Sequence, residues 1–271
     1  MKSVYAGDEK VAEFESYDEL RIGDGKPAFI YEGSELVYPN PVKDGLVLWY
    51  DFSGRTNADG QRGIAEDLSG NGNHGTLQNF NFTAESGYDK NKLLFDGVDD
   101  RFITEELDEK VFSMESVFLP NPEISSIDAN FNSLNYSRSS GISLAINAAR
   151  TSFIINYGVL GRTYLNIYFG KYKETGIILN KGVPIHAVVQ IEPDANIAYL
   201  YINGDFFASK ELESEYNPNI NKISGGNLSH NITWSNFSKK PLMSGRAYNR
   251  PLTPEEIAHN YEIEKERFGI E

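Results

Sequence analysis

The stretch DLSGNGNHGTLQN, residues 67–79, combines residue types that can bind phosphate, ligate a metal ion or form a tight turn. A loop that binds phosphate through backbone amides leads into the N-terminus of a helix. Here the strand-like sequence HGTLQNF follows, which argues against a nucleotide site. We therefore predict a structural corner in which Gly70, Gly72 and Gly75 supply positive φ values. Four polar side chains can bond to the backbone of this turn: Asp67, Ser69, Asn71 and Asn73.

Other side chains that could perform catalysis lack the spacing it requires. The chain has no cysteine and no Gly-x-Ser-x-Gly sequence, so neither a thiol nor an esterase-type serine nucleophile is indicated. The histidines are separated along the chain, without the i, i+4 or short-loop spacing of a zinc site: His74, His186, His230 and His259. We predict that the protein is not an enzyme and that His186, within an apolar strand, is a buried structural residue.

The charge of the chain limits its partners. Lys and Arg number 25 against 39 Asp and Glu, which gives a formal net charge of −14. Nucleic acids and anionic membrane surfaces both select basic proteins, so neither is predicted as a partner. The N-terminal sequence MKSVYAGDEKVAEFE lacks the apolar run of a signal peptide, and no later stretch is apolar enough to span a bilayer.

The sequence divides at the two prolines of VYPNPVKDG. Residues 1–41 contain short strand-like pieces that cannot form a core alone, so we predict a β-rich N-terminal attachment arm. Packing of this arm on its own main domain is the alternative. Residues 42–271 form the main domain, where runs such as GLVLWYDF and PIHAVVQIE predict many short antiparallel strands. Because no helices intervene between them, a sandwich or jelly roll is expected.

Two local signals within the main domain are specific. Asn203-Gly204 predicts a type I′ hairpin turn, which needs positive φ at both positions. A helix is predicted over 253–268, with Thr253 as N-cap and Glu256 completing a capping box. Pro254 suits the first turn, and Leu252 and Ile257 can form a hydrophobic staple. Ile257 also belongs to an apolar stripe with Tyr261 and Phe268, and Gly269 ends the helix.

Several motifs occur in an order that resembles the concanavalin A-like, laminin G-like jelly-roll superfamily. They are GLVLWYDFSG, AEDLSGNGNHGTLQN, LLFDGVDDRF, FSMESVFLP, PIHAVVQIEPDANIAYLYINGDFFAS and LMSGRAYNRPLTPEEIAHNYEIEKERFG, and together they span about residues 44–268. The resemblance implies two curved antiparallel sheets packed face to face, with ligand sites on the concave face or rim loops. The N-terminal pieces VYAGDEKV and IYEGSELVYP are similar to the opening of tail and baseplate proteins of tailed bacteriophages.

These resemblances imply a non-catalytic virion protein, assembled in the host cytoplasm, that displays a lectin-like module for adhesion to host cell-wall glycan. The arm would dock on other virion proteins, and the protein would be a homo-oligomer. A purely structural spacer or decoration protein and a glycoside hydrolase of the same fold are the alternatives. The hydrolases of this family place carboxylates as Glu-x-Asp-x-Glu or with one more spacer. The closest string here is EELDEK, in which Glu106-Leu107-Asp108 is followed by Glu109 and Lys110. The final carboxylate is at the wrong spacing and Val111 fills the other permitted position, so a solvated loop is predicted.

The resemblance leaves two kinds of binding site open. Members of the superfamily often bind calcium, for which the candidate ligands are Asp67, Asp96, Asp99 and Asp100. The alternative, which we favour, is that Asp96-Gly97 forms a turn and that no cofactor is bound. For glycan, Trp234 in the polar stretch SHNITWSNFS is the candidate exposed ring, whereas Trp49 in LVLWYDF is expected in the core.

Overall fold

The structure, a computed structural model, describes most of the chain. The described residues are 2–6, 9–14, 29–32, 35–120, 127–128, 131–134, 142–147, 152–159, 162–171, 182–213, 215–216, 222–226, 239 and 241–271. Two compact units are present, Met1–Val42 and Lys43–Glu271. Within the described residues, no helix is long and apolar enough to cross a membrane.

The first unit consists of two antiparallel hairpins. Strand β1 (Lys2–Ala6) pairs with β2 (Glu9–Phe14), and β3 (Ile30–Glu32) pairs with β4 (Glu35–Tyr38). The short strand-like pieces of the sequence therefore pair with one another. The use of this unit as an attachment arm stays a prediction.

The second unit contains two antiparallel sheets and one helix. Its strands are β5 (Leu46–Asp51), β6 (Ile64–Ala65), β7 (Gly75–Gln78), β8 (Gly87–Asp89), β9 (Lys92–Leu94), β10 (Arg101–Thr104), β11 (Ser113–Phe118), β12 (Ile127–Asp128), β13 (Phe131–Leu134), β14 (Ile142–Asn147), β15 (Ser152–Val159), β16 (Arg162–Lys171), β17 (Ile185–Glu192), β18 (Ile197–Ile202), β19 (Asp205–Glu211), β20 (Lys222–Gly225) and β21 (Leu242–Tyr248). The helix is α1 (Pro254–Phe268).

The eight-stranded sheet has the order β19-β18-β17-β11-β21-β9-β8, with β5 also paired to β21. The nine-stranded sheet has the order β16-β15-β14-β13-β20-β10-β7-β6, with β12 paired to β14. All of these pairings are antiparallel, and many join strands distant in sequence, such as β11 with β21 and β10 with β20. The strand order thus brings residues from the whole second unit into each sheet.

The two sheets enclose a common apolar core. One cluster of buried side chains includes Leu48, Val189 and Leu200 from the eight-stranded sheet and Leu77, Phe102 and Ile223 from the nine-stranded sheet. Burial of this much apolar surface is the main favourable term for a sandwich of this kind. The predicted fold class, an all-β sandwich of two antiparallel sheets closed by a C-terminal helix, is confirmed.

Helix α1 begins and ends as its sequence predicts. The Thr253 side chain accepts a hydrogen bond from the Glu256 amide, the Glu256 side chain accepts one from the Thr253 amide, and Gly269 ends the helix in the left-handed region. Its buried face contains Ile257 and Phe268, as predicted, but also Asn260 and Glu264. These two polar positions were not anticipated, and they lead to a charge network described below.

The Asn203-Gly204 turn is confirmed. Asn203 and Gly204 have φ values of 51° and 81°, as a type I′ turn requires, and they connect β18 to β19. The ring of Tyr261 on helix α1 lies directly over Gly204, where a Cβ would fall 2.6 Å from Cδ1 of the tyrosine. The turn therefore also forms part of the surface on which the helix packs.

Candidate functional site

The glycine-rich stretch at 67–79 is a structural corner. Asp67 is buried and accepts hydrogen bonds from the backbone amides of Trp49 (2.9 Å), Ser69 (3.0 Å) and Asn73 (2.8 Å). The side-chain amides of Asn71 and Asn73 donate to the backbone of β5, at the Val47 carbonyl. These bonds tie the corner to the eight-stranded sheet, so Asp67 serves the turn and does not join the other candidate metal ligands.

One detail of the predicted corner was wrong. Gly70 and Gly72 have the expected positive φ values, 90° and 76°, but Gly75 lies outside the left-handed region. A glycine is needed at Gly75 for a different reason, because a Cβ there would lie 2.8 Å from the Tyr50 hydroxyl oxygen. That hydroxyl donates to the Asn73 carbonyl at 2.7 Å, so the close approach is fixed by a hydrogen bond.

The other three candidate metal ligands do come together. Ligand atoms of Asp96, Asp99 and Asp100 lie within 4.8 Å of one another. Asp96 Oδ1, however, accepts the backbone amides of Val98 (2.7 Å), Asp99 (3.2 Å) and Asp100 (3.4 Å), which is the hydrogen bonding of a turn. Asp100 accepts from the Asp96 amide at 2.8 Å and from the Ser86 hydroxyl at 3.1 Å.

Burial raises the pKa of Asp100 to about 6, and the charges of Asp96 and Asp99 act in the same direction. Calcium takes roughly six to eight oxygen ligands. Three of the six carboxylate oxygens here are already bonded to protein donors, and Asp100 holds its proton more readily than a free aspartate. The hydrogen bonds among these residues are those of a turn, and calcium binding at Asp96, Asp99 and Asp100 stays a prediction.

The carboxylates at residues 106–109 lie in an exposed loop between β10 and β11. Glu106, Asp108 and Glu109 are exposed, and Leu107 turns into the core. The side-chain amide of Asn249 donates to Glu109 at 3.3 Å. The exposure of these carboxylates agrees with the solvated loop that their spacing in the sequence predicts.

A charge network lies between the outer face of the eight-stranded sheet and helix α1. Arg246 on β21 forms ion pairs with Glu115 on β11 and with Glu264 on the helix. Glu115 is also 3.0 Å from His186 Nε2 and accepts from the Asn260 side-chain amide at 2.8 Å. All five side chains are at most 1% exposed, so no substrate can reach them. We conclude that this network is structural, which is also the predicted role of His186.

The network extends along the helix to the edge of β5. Arg267 pairs with Asp51 at 2.7 Å and with Glu264 at 3.3 Å. The Arg246 guanidinium also lies over the Trp49 ring, 5.1 Å from its centroid, and Trp49 is 2% exposed. Trp49 is thus a buried residue, as predicted, and the charged network is lined on one side by an aromatic ring.

The network makes the stability of the fold depend on pH in the acidic range. Burial raises the pKa of Glu115, but the charge of Arg246 and the hydrogen bonds from His186 and Asn260 lower it by more. The net result is a pKa of about 2, against an ordinary value of 4.5. A carboxyl whose pKa is lower in the folded state contributes stability that is complete above pH 4.5 and is lost as the pH falls towards 2. We expect the free energy of unfolding, from urea titrations, to fall over this range.

The Glu115→Gln variant isolates the contribution of this carboxyl. Its free energy of unfolding should be lower at neutral pH, and it should change less than that of the wild type between pH 4.5 and pH 2. Identical pH profiles for the two proteins over that interval would show that Glu115 titrates in the same way folded and unfolded.

Three aromatic rings, of which one is exposed, one half-buried and one buried, lie together on the same outer face, on strands β18 and β19. Tyr199 and Tyr201 on β18 alternate with side chains of the sandwich core, so they point to the outside of the sheet. Phe206, across from Tyr201 on β19, makes near-perpendicular ring contacts with Tyr201 (5.8 Å between centroids) and Tyr199 (6.5 Å). Phe206 is 57% exposed. We call Tyr199, Tyr201 and Phe206 the aromatic ledge.

A carboxylate borders the aromatic ledge. Burial raises the pKa of Tyr201, and the neighbouring Tyr199 and the charge of Glu255 act in the same direction. Glu255 and Asp205 are both exposed. The ledge therefore presents the exposed ring of Phe206 beside exposed carboxylate groups. This combination suits a ligand with one apolar face and several hydroxyls.

The ledge was missed in the sequence, where Trp234 was the candidate ring. Trp234 lies outside the described residues. The signal that could have identified the ledge is the run YLYINGDFF: tyrosines two residues apart share a face, and a hairpin turn brings a phenylalanine beside them. What the run does not show is which face of the strand is covered, because residues on both faces are apolar.

No protein-family model matches the chain, and no curated protein matches it in sequence. Among solved structures it is similar to the botulinum neurotoxin serotype D binding domain, with a TM-score of 0.59 and 15% identity over 82% of this chain and 52% of that one. It is also similar to Trypanosoma rangeli sialidase, with a TM-score of 0.57 and 14% identity over 84% of this chain and 34% of that one. The chain thus spans about half the length of the neurotoxin binding domain and about a third of the length of the sialidase. At such low identity the likeness concerns architecture alone: the chain shares their β-sandwich fold.

Proposed function

We propose that the chain is a non-catalytic β-sandwich module that binds glycan through the aromatic ledge. The observation that carries this proposal is the exposure of Phe206, whose ring lies against two tyrosines at the edge of a sheet. Exposed apolar patches on folded domains often mark interaction surfaces. The structural neighbours support the ligand class, since one is a receptor binding domain and another is a sialidase in complex with sialic acid.

The absence of catalysis is part of the proposal. In the described part of the chain, Glu115 and Glu264 are buried beneath helix α1, and the carboxylates at 106–109 lie in an exposed loop. Neither set places an acid and a base on either side of an open sugar site. Hydrolysis of any bound glycan by the purified protein would overturn this part of the proposal.

We place this module on the virion of a tailed bacteriophage, where it mediates adhesion to host cell-wall glycan. The support is the resemblance of residues 1–41 to the opening of tail and baseplate proteins, and this arm would dock on other virion proteins. In this setting the protein is assembled in the host cytoplasm and is a homo-oligomer. Detection of the protein in purified virions by mass spectrometry, together with binding of the purified protein to host cell walls, tests this placement; failure of both would refute it.

The Phe206→Ala variant tests the ledge directly. Loss of the central ring is expected to weaken binding to a glycan identified on a glycan array by about tenfold, since an aromatic contact contributes about 0.5–1.5 kcal/mol beyond its buried area. Isothermal titration calorimetry with that glycan provides the measurement.

Ile64→Ala is the matched control, because Ile64 is also a large exposed apolar residue, at 40%, but lies on the other sheet. It should bind glycan as the wild type does. Equal affinities for wild type and Phe206→Ala would exclude the ledge as the binding surface.

A further inference from the structure

Arg62 occupies a defined position although its side chain is exposed. Its Nη1 donates to the Asn57 carbonyl at 2.7 Å, and its guanidinium carbon lies 4.7 Å from the centroid of the Phe82 ring. A hydrogen bond and a ring face together fix both the position and the plane of the guanidinium. Such ordering is uncommon for an exposed arginine, whose side chain otherwise samples many rotamers.

Arg62 differs from other arginines of the second unit in its charge partners. Arg55, Arg246, Arg250 and Arg267 each form ion pairs with one or more carboxylates. In the part of the chain that the structure describes, no carboxylate forms an ion pair with Arg62. An ordered guanidinium without a carboxylate partner is therefore exposed on a chain whose net charge is −14.

The residue that carries the ring beneath the guanidinium has an unfavourable backbone conformation. Phe82 has a φ of 54°, in the left-handed region that bulky residues avoid at a cost of about 1–3 kcal/mol. Asn57 holds this loop, since its side-chain amide donates to the Thr83 carbonyl at 3.1 Å and its side-chain oxygen accepts from the Tyr88 amide at 2.7 Å. The Phe82 ring in turn stacks on Tyr88, 6.3 Å between centroids.

Asn57 thus positions both parts of the arrangement, the guanidinium through its carbonyl and the ring through its side chain. The loop that carries Phe82 leads into β8, at the edge of the eight-stranded sheet opposite to β19. The arrangement is therefore separate from the aromatic ledge, and the two can be tested independently.

We propose that Arg62 and Phe82 form a binding site for an oxyanion carried by a glycan, either a sugar carboxylate or a sugar phosphate. The N–H groups of Arg62 that do not bond to Asn57 remain for a fork-shaped contact with two oxygens of the anion. The net charge of −14 disfavours general electrostatic binding of an anionic polymer, so such binding would depend on this guanidinium. The site adds a preference for acidic glycans, which the aromatic ledge alone does not supply.

The experiment compares three probes with the full chain: an oligogalacturonate, an oligomer of glycerol phosphate and a neutral maltooligosaccharide. The NMR signal of the Arg62 Nε–Hε group is expected to shift with at least one anionic probe and not with the neutral one. The Arg62→Ala variant should bind that anionic probe about tenfold more weakly, and Arg62→Lys should show a partial loss, because lysine keeps the charge but not the fork. Which anionic probe responds distinguishes carboxylate from phosphate.

Two further variants separate the site from general electrostatics and from misfolding. Lys110→Ala removes one exposed positive charge elsewhere, and it should bind the anionic probe as the wild type does. Phe82→Gly removes the ring and relieves the positive φ, which offsets part of the packing lost against the core, so the variant should stay folded and still lose affinity.

The proposal is wrong if neither anionic probe shifts the Arg62 signal, if Arg62→Ala binds as tightly as wild type, or if Lys110→Ala loses as much affinity. The Phe206→Ala variant should keep its Arg62-dependent binding of the anionic probe. Failure of the ledge and failure of this site are therefore distinguishable, because each has its own variant and its own probe.

Discussion

The Arg246→Met variant is expected to lose roughly 3–5 kcal/mol of unfolding free energy, the cost of removing one partner from a buried ion pair. Arg246 is shared by Glu115 and Glu264, and all three side chains are at most 1% exposed. Without the guanidinium, two carboxylates stay buried close to each other, and they can be neutralised only by taking up protons. Chemical denaturation monitored by circular dichroism measures the loss.

Arg250→Met is the matched control, because Arg250 also pairs with carboxylates, Asp44 and Glu256, but is partly exposed. Such surface pairs contribute about 0–1 kcal/mol. A triple variant with Glu115→Gln, Arg246→Met and Glu264→Gln should recover part of the lost stability, since no buried charge is then left without its partner. If Arg246→Met and Arg250→Met lost equally little, the network would contribute no more than surface pairs do.

Gly204→Ala is expected to lower the free energy of unfolding by roughly 2–4 kcal/mol, from two separate causes. The φ of 81° at Gly204 is unfavourable for any residue with a Cβ. The added methyl group would also fall 2.6 Å from Cδ1, 3.0 Å from Cγ and 3.2 Å from Cβ of Tyr261. Because Tyr261 is crowded close to its own backbone, a rotamer change cannot relieve the contact, and helix α1 must shift.

Gly60→Ala provides the control for this second variant. Gly60 has no positive φ, and a Cβ there would meet nothing within 4 Å, so the substitution should change the stability little or raise it slightly. Thermal unfolding of the two variants side by side gives the comparison. A melting temperature for Gly204→Ala close to that of Gly60→Ala would mean that the turn and the helix tolerate the added methyl group.

The features that could be predicted from the sequence are those set by neighbouring residues. The capping box of Thr253 and Glu256 and the turn at Asn203-Gly204 both depend on residues a few positions apart, and both are confirmed. The sandwich follows from many short strands that alternate with turns and have no helices between them. These signals act locally, so reading along the chain is enough to find them.

The features that were missed depend on which distant residues meet. Asn260 and Glu264 are polar residues that a helix would ordinarily expose. Their burial is favourable because Glu115 and Arg246, on two other strands, bond to them. Gly75 is required by the Tyr50 hydroxyl, which the sequence places far from it. The aromatic ledge depends on which face of β18 remains uncovered, and both faces of that strand are apolar.

The candidate binding residues show the same division. The turn interpretation of Asp96 was correct because its bonds to Val98 and Asp99 are local. The prediction of Trp234 rests on the polarity of its neighbours in the sequence, and this residue lies outside the described part of the chain. The exposed ring of Phe206 belongs to a group that spans a hairpin, and such groups are found only when the pairing of strands is considered.

The burial of Glu115 has a consequence for the rate of folding. Glu115 bonds to Arg246, 131 positions away, and to Asn260, 145 positions away. Contacts across such separations require large loops to close first, and proteins dominated by them fold slowly. The outer face of the sheet can be dehydrated only after strands β11 and β21 and the helix have met. We therefore expect the second unit to fold slowly, at a rate set by topology more than by local helix or turn formation.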